Sequence, residues 1–128
     1  MNLEYIFLIG RILAGGYFIF AGMNHLVHLR ELSEAAERRG VFAAPLFVLL
    51  TGITIFLAGG GIFFWVYPGI AGLLLAAFLL LTSFVMHPFW LLRNAAPEVR
   101  TTEMRYFLGN MALAGALMIV ATRLLETL

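Results

Sequence analysis

VFAAPLFVLLTGITIFLAGGGIFFWVYPGIAGLLLAAFLLLTSFVMHPFWLL, running from Val41 to Leu92, is the stretch that decides the fold. It holds two apolar runs, about 41 to 66 and 69 to 92, that meet at Tyr67-Pro68-Gly69. Each run reaches the roughly 20 residues that a helix needs to cross the hydrocarbon core of a bilayer. A turn this short makes the two helices antiparallel neighbours. Gly59, Gly60 and Gly61, just before the turn, permit close helix approach or a loosened last turn. At the far end, Pro88 disfavours helical geometry at His87 and frees the carbonyl of Phe84, so a kink or an early helix end is expected there.

Working outward, two more apolar runs flank this hairpin, at about 5 to 27 and 104 to 124. The sequence therefore predicts an all-α fold: an integral membrane four-helix bundle of up-down-up-down topology, forming a single transmembrane domain over residues 1–128. Composition agrees, because 62% hydrophobic against 12% charged residues lies far outside the balance of a soluble globular chain. The N-terminus carries Glu4 and embeds Arg11, unlike the basic n-region of a signal peptide, so the first span reads as a retained helix. Between the first two spans, His28 to Gly40 predicts a short helix on the membrane surface, its wet face pairing Arg30 with Glu34 and Glu34 with Arg38. Gly40 is its stop signal. Arg93 to Glu103 reads as a polar linker, with Met104 or Arg105 opening the last span.

Charge and cysteine content exclude several functions. A net charge of +1 supplies no field for nucleic acid. Without cysteine the chain has no disulfide framework, cysteine zinc site or cysteine-held iron–sulfur cluster, so redox chemistry would need a bound cofactor or a partner. Six arginines, at 30, 38, 39, 93, 100 and 105, lie on the side of the first and third loops, against Arg11 and Arg123 near the other. That bias predicts cytoplasmic loops at 28–40 and 93–103, with both termini outside.

On the first span, Arg11, Gly15, Phe18, Gly22 and His25 recur at spacings of four and three and form one stripe, expected to face the other helices. Arg11 reads either as a clamp for an anion, carbonyl or headgroup, or as a structural arginine paired with Glu4, Glu126 or helix-end carbonyls. It stands roughly 21 Å from His25 at helical rise, near the opposite membrane surface. His25, His28 and His87 gather at one end, with Asn24, Trp90, Arg105 and Asn110 near the same depth. Imidazoles and amides there can orient a quinone or haem propionates, or be satisfied by backbone carbonyls and water; no HxxxH or HExxH pattern argues for a metal. His25, His87 and Asn110 are expected to converge on a small polar pocket, since isolated amides and imidazoles in hydrocarbon are costly. The stripe Gly72, Ala76, Leu79, Ser83 and His87 reads as a packing face. Thr51, Thr54, Thr82 and Ser83 can bond back to their own helix carbonyls.

Gly10-Arg11-Ile12-Leu13-Ala14-Gly15 leading to Phe20-Ala21-Gly22-Met23-Asn24-His25, then His87-Pro88-Phe89-Trp90, then Phe107-Leu108-Gly109-Asn110-Met111-Ala112-Leu113-Ala114-Gly115, together resemble the DoxX-like family of small four-helix membrane proteins. The resemblance covers nearly the whole chain, with the motifs in family order. It implies an accessory subunit of a membrane redox system, linked to quinone, and a bacterial or archaeal plasma membrane as its location. Many relatives carry an acidic residue early in the second helix, where this chain has Thr51 and Thr54.

The residues thus point to a ligand-binding set of Arg11, Asn24, His25, His28, His87, Trp90 and Asn110, with quinone as the implied cofactor and a redox enzyme or a second copy as the implied partner. A subunit of interaction or assembly without chemistry is the alternative, since no complete catalytic constellation is present. Transport is disfavoured by the scarcity of intramembrane carboxylates and of broken helix pairs.

Overall fold

The computed structural model describes residues 2–127. Five α-helices follow in order: α1 (Leu3–Val27), α2 (Leu29–Arg38), α3 (Ala44–Phe64), α4 (Pro68–Met86) and α5 (Pro97–Glu126), with a 3-10 turn at Phe89–Leu91 before α5. All but α2 are long and apolar enough to cross a membrane. Large side chains such as Leu13, Phe20, Leu57 and Ile119 stand exposed around the bundle, as lipid-facing residues must. The protein is an integral membrane four-helix bundle with α2 as an accessory helix in the first loop.

Local chemistry explains each boundary. The Asn2 side chain accepts from the Glu4 backbone N–H at 3.0 Å and caps α1. α3 starts at Ala44, three residues later than expected, because Ala43 adopts left-handed geometry and Pro45 fits only the first turn of a helix. It stops at Phe64, and the link to α4 runs through Trp65 and Tyr67 with φ of 59° and 47°, a strained conformation for bulky residues. Pro68 then opens α4. At the other end Pro88 ends the helix at Met86, while the His87 N–H still bonds to the Ser83 carbonyl at 3.1 Å.

α5 begins at Pro97 rather than at Met104 or Arg105, so much of the expected linker is helix. Pro97 takes the first helical position, and Glu98 in the first turn suits the positive end of the helix dipole. This adds about two wet turns, which carry Glu103 beside the end of α4. On α2, Arg30 bonds to Glu34 at 3.2 Å, whereas Glu34 and Arg38 form no ion pair. The inner face of α2 sets Ala36 and the half-buried Leu29 and Leu32 against Val41, Ala44, Val48 and Met86.

Glycine sets the register of α1 on α3. A Cβ on Gly15 would lie 2.5 Å from the Phe63 backbone nitrogen, and one on Gly22 2.6 Å from that of Phe56. Seven residues up α1 thus match seven down α3, an antiparallel pair with backbones nearly touching. From the α3 side, Gly59 faces Phe18 and Ile19, and Gly52 faces His25. α4 and α5 pair likewise, with Gly72 against Ala121 and Gly69 against Leu125. The expected inward stripes on α1 and α4 are both observed, and Phe18, Ile55, Leu75 and Ala114 meet in the core.

α3 also packs on α4, so the helices follow one another as α1, α3, α4, α5. The backbones of α1 and α5 scarcely approach each other, and a seam runs between them. One end of the bundle, here the histidine end, carries α2 and the α4–α5 link. The opposite, arginine end carries both described chain termini and the α3–α4 turn.

Ser83 departs from its expected role. Its hydroxyl is fully buried without a hydrogen-bond partner, whereas Thr51 and Thr54 do bond back to their own helix, at 2.8 Å to Phe47 and Leu50 carbonyls.

Candidate functional site

His25 lies in the last turn of α1, where Gly52 leaves room for its side chain to pass α3. Its Nδ1 stands 2.9 Å from the Ala21 carbonyl oxygen. A carbonyl only accepts, so Nδ1–H donates, and in the neutral ring Nε2 keeps its lone pair. His87, released from helical geometry just before Pro88, sets Nδ1 at 2.7 Å from Glu103 Oε2. The carboxylate accepts that proton as well, and both side chains are mostly buried, at 23% and 20% exposure. Each ring is thereby oriented by a fixed acceptor, the arrangement that in ligand-binding histidines leaves Nε2 for the ligand.

A cavity of about 250 Å³ lies against these rings. α1 contributes Tyr17, Asn24 and His25, α4 contributes Phe78, Thr82 and His87, and α5 contributes Tyr106 and Asn110. His25, His87 and Asn110 therefore border one small space, part polar and mostly apolar, with Asn24 beside them. Tyr106 also faces His87, ring centroids 5.2 Å apart. A second cavity of about 270 Å³, almost wholly apolar, lies on the other side of the same rings, beneath Leu32 and Ala36 of α2. His25, Phe78, Thr82 and His87 form the wall common to both.

The remaining expected residues lie elsewhere. His28 is exposed, its Nδ1 3.3 Å from the Asn24 carbonyl, and it borders neither cavity. Trp90 packs with Phe84, Phe89 and Phe107 in an aromatic cluster, ring centroids 5.3 to 6.0 Å away, which ties the ends of α4 and α5 together at interfacial depth. Arg11 is at the arginine end, where Nε and Nη2 both donate to the Phe63 carbonyl at 3.2 and 2.9 Å. Among the described residues, no group of three or more His, Cys, Asp or Glu side chains could hold a metal ion.

Glu103 and Tyr106 escaped the reading of the sequence. The signal was Pro97-Glu98: with the helix started there, Glu103, Tyr106 and Asn110 fall at spacings of three and four on one face. Thr82, able to bond back to its own helix, makes no such bond and stands in the shared wall.

The arrangement can hold a small ring with polar atoms on its edge. Two imidazole Nε2 lone pairs accept, two amides donate or accept, and aromatic faces flank them. No protein-family model, curated protein or solved structure matches the chain.

Proposed function

We propose that this protein is a DoxX-like accessory subunit of a membrane redox system, and that the cavity at the histidine end holds a quinone-type ring. The observation that carries this reading is the convergence of His25, His87, Asn24 and Asn110 on one cavity of about 250 Å³ beside a lipid-facing seam. That space is a little below the roughly 300 Å³ of the smallest drug-sized sites, the scale of one ring rather than a larger cofactor. The donor set fits such a ring in both redox states: amide N–H groups donate to quinone oxygens, and the imidazole lone pairs accept from quinol hydroxyls. When bound, the ring would supply the electron chemistry. The chain's part is to position it and, through the His87–Glu103 pair, to hold a proton beside it. Many relatives in the resembled family carry an acidic residue early in the second spanning helix; here Thr51 and Thr54 of α3 occupy that region, and Glu103 brings a carboxylate to His87 from α5. The seam between α1 and α5 offers a ligand with an apolar tail lateral access from the bilayer. The reading includes a bacterial or archaeal plasma membrane with loops 28–40 and 93–103 cytoplasmic, and a redox enzyme or second copy as partner.

Purification in mild detergent followed by solvent extraction tests the ligand. Quinone should co-purify with the wild type and be largely lost from His25→Phe and His87→Phe, with the helical fold intact. Equal retention by both variants would refute the site. The alternative reading, a subunit of interaction or assembly without chemistry, is favoured by Gly10, Gly16, Gly109 and Gly115. A Cβ on any of these would meet nothing within 4 Å, leaving smooth outer surfaces on which a partner's helix can dock.

A further inference from the structure

Arg11 is the only charged residue between Tyr5 and Val27, and among the described residues no acidic side chain forms an ion pair with it. Its Nε and Nη2 donate to a single acceptor, the Phe63 carbonyl, and Nη1 has no hydrogen-bond partner among the described residues. No carboxylate pairs with it there either: the ion pairs are Arg30 with Glu34, His87 with Glu103, and Arg123 with Glu126. The carbonyl at the end of α3 offers only the partial negative charge of a helix terminus. Phe7, its ring centroid 5.4 Å from the guanidinium carbon, adds a cation–π contact. A permanently charged guanidinium in a spanning helix calls for an anion, and among the described residues none pairs with it.

What lies beside Arg11 identifies the anion's carrier. Arg11 lines a groove of about 310 Å³ between α1 and α5, closed by Ile62 and Trp65 and walled almost wholly by apolar groups. Phe7 and Val120 lie toward the membrane surface, Ala14 and Leu113 toward its centre. Arg11 is level with the end of α3, where Trp65 and Tyr67 mark the interfacial depth at which lipid headgroups lie. One cation at headgroup depth above a hydrocarbon-walled groove is the complement of an anionic phospholipid.

We propose that Arg11 and the arginine end of the α1–α5 seam form a binding site for an anionic phospholipid, with Nη1 and Nη2 donating to its phosphate and one acyl chain lying along Ala14 and Leu113. This site is independent of the ring site at the histidine end. It gives the carbonyl-bound Arg11 a second task, since one carbonyl accepts two donors and leaves the others to the phosphate.

The test is native mass spectrometry of the full chain in mild detergent with phosphatidylglycerol or phosphatidylcholine of identical acyl chains. The wild type should retain phosphatidylglycerol about tenfold better, because phosphatidylcholine offers the same phosphate but adds a choline cation that cancels the attraction to Arg11. Arg11→Gln should abolish the preference and Arg123→Gln, at the same end, should keep it. Leu113→Trp fills the groove without touching the Arg11–Phe63 contact, and it should also lose the lipid, which decides the matter if Arg11→Gln fails to fold. Undiminished preference in folded Arg11→Gln or in Leu113→Trp overturns the proposal. So does displacement of the lipid by millimolar inorganic phosphate, which would make the site one for a free anion.

Discussion

Replacing Gly22 by Ala probes the seam on which the bundle is built. The new Cβ would lie 2.6 Å from both the nitrogen and Cβ of Phe56 and 2.7 Å from its Cα. Carbon atoms rest at about 3.5–4.0 Å, so α1 and α3 must part by about 1 Å at this level. Backbone and Cβ atoms cannot swing aside as the tip of a long side chain would, and the helices move as rods. The displacement therefore also loosens the contacts of Gly15 with Phe63 and of Gly59 with Phe18. A gap of that size forfeits a quarter to a half of each contact's attraction, and overpacking of this kind costs about 1–3 kcal/mol. Gly16→Ala is the control on the same helix, because a Cβ there meets nothing within 4 Å. It should leave stability unchanged or raise it by up to about 1 kcal/mol through reduced backbone entropy. Unfolding in mixed micelles, followed by the helical signal against denaturing detergent fraction, measures both. Equal stability of the two variants would show that the α1–α3 register does not depend on backbone contact at glycine.

Three other outcomes follow from particular residues. Ser83→Ala removes a fully buried hydroxyl without a partner and should stabilise the protein by about 1 kcal/mol in the same assay; a loss of comparable size would mean that the hydroxyl is bonded. Glu103→Leu leaves the His87 Nδ1–H without its acceptor, so imidazole nitrogen NMR should show Nδ1 protonation, well defined in the wild type, redistributed between the two nitrogens; an unchanged spectrum would deny Glu103 its orienting role. Reporter fusions at both termini should give one side of the membrane, and fusions within 30–39 the other, while a split between the termini would end the four-span topology.

The spans and the tight turn at Tyr67-Pro68-Gly69 were legible because hydropathy and turn chemistry are local signals. So was the inward face of α1, since Gly15, Phe18 and Gly22 recur at helical spacing. The element that receives them was not: Gly52 and Gly59 carry the matching spacing on α3, but nothing local says which helices adjoin. The start of α5 was misplaced because polarity was taken for linker, although a helix leaving the membrane continues in water when Pro and Glu are placed to begin it. That error hid Glu103, the residue that orients His87. The gathering of His25, His87 and Asn110 followed from depth along antiparallel helices, whereas the outlying positions of His28 and Trp90 depend on side-chain direction at helix ends, which spacing does not encode.

The unequal seams of the bundle have a mechanical consequence. α1 and α3 are interlocked through their backbones, α4 and α5 pair through Gly69 and Gly72, and the two pairs join along the α3–α4 contact. The backbones of α1 and α5 stay apart although their side chains meet in the core at Phe18 and Ala114, so the widest gap between neighbouring helices lies on that side of the bundle. Lateral pressure from the surrounding acyl chains acts on that gap. A change in bilayer thickness or tension would act there first, on the spaces that Arg11 and His25 line at the two ends of α1.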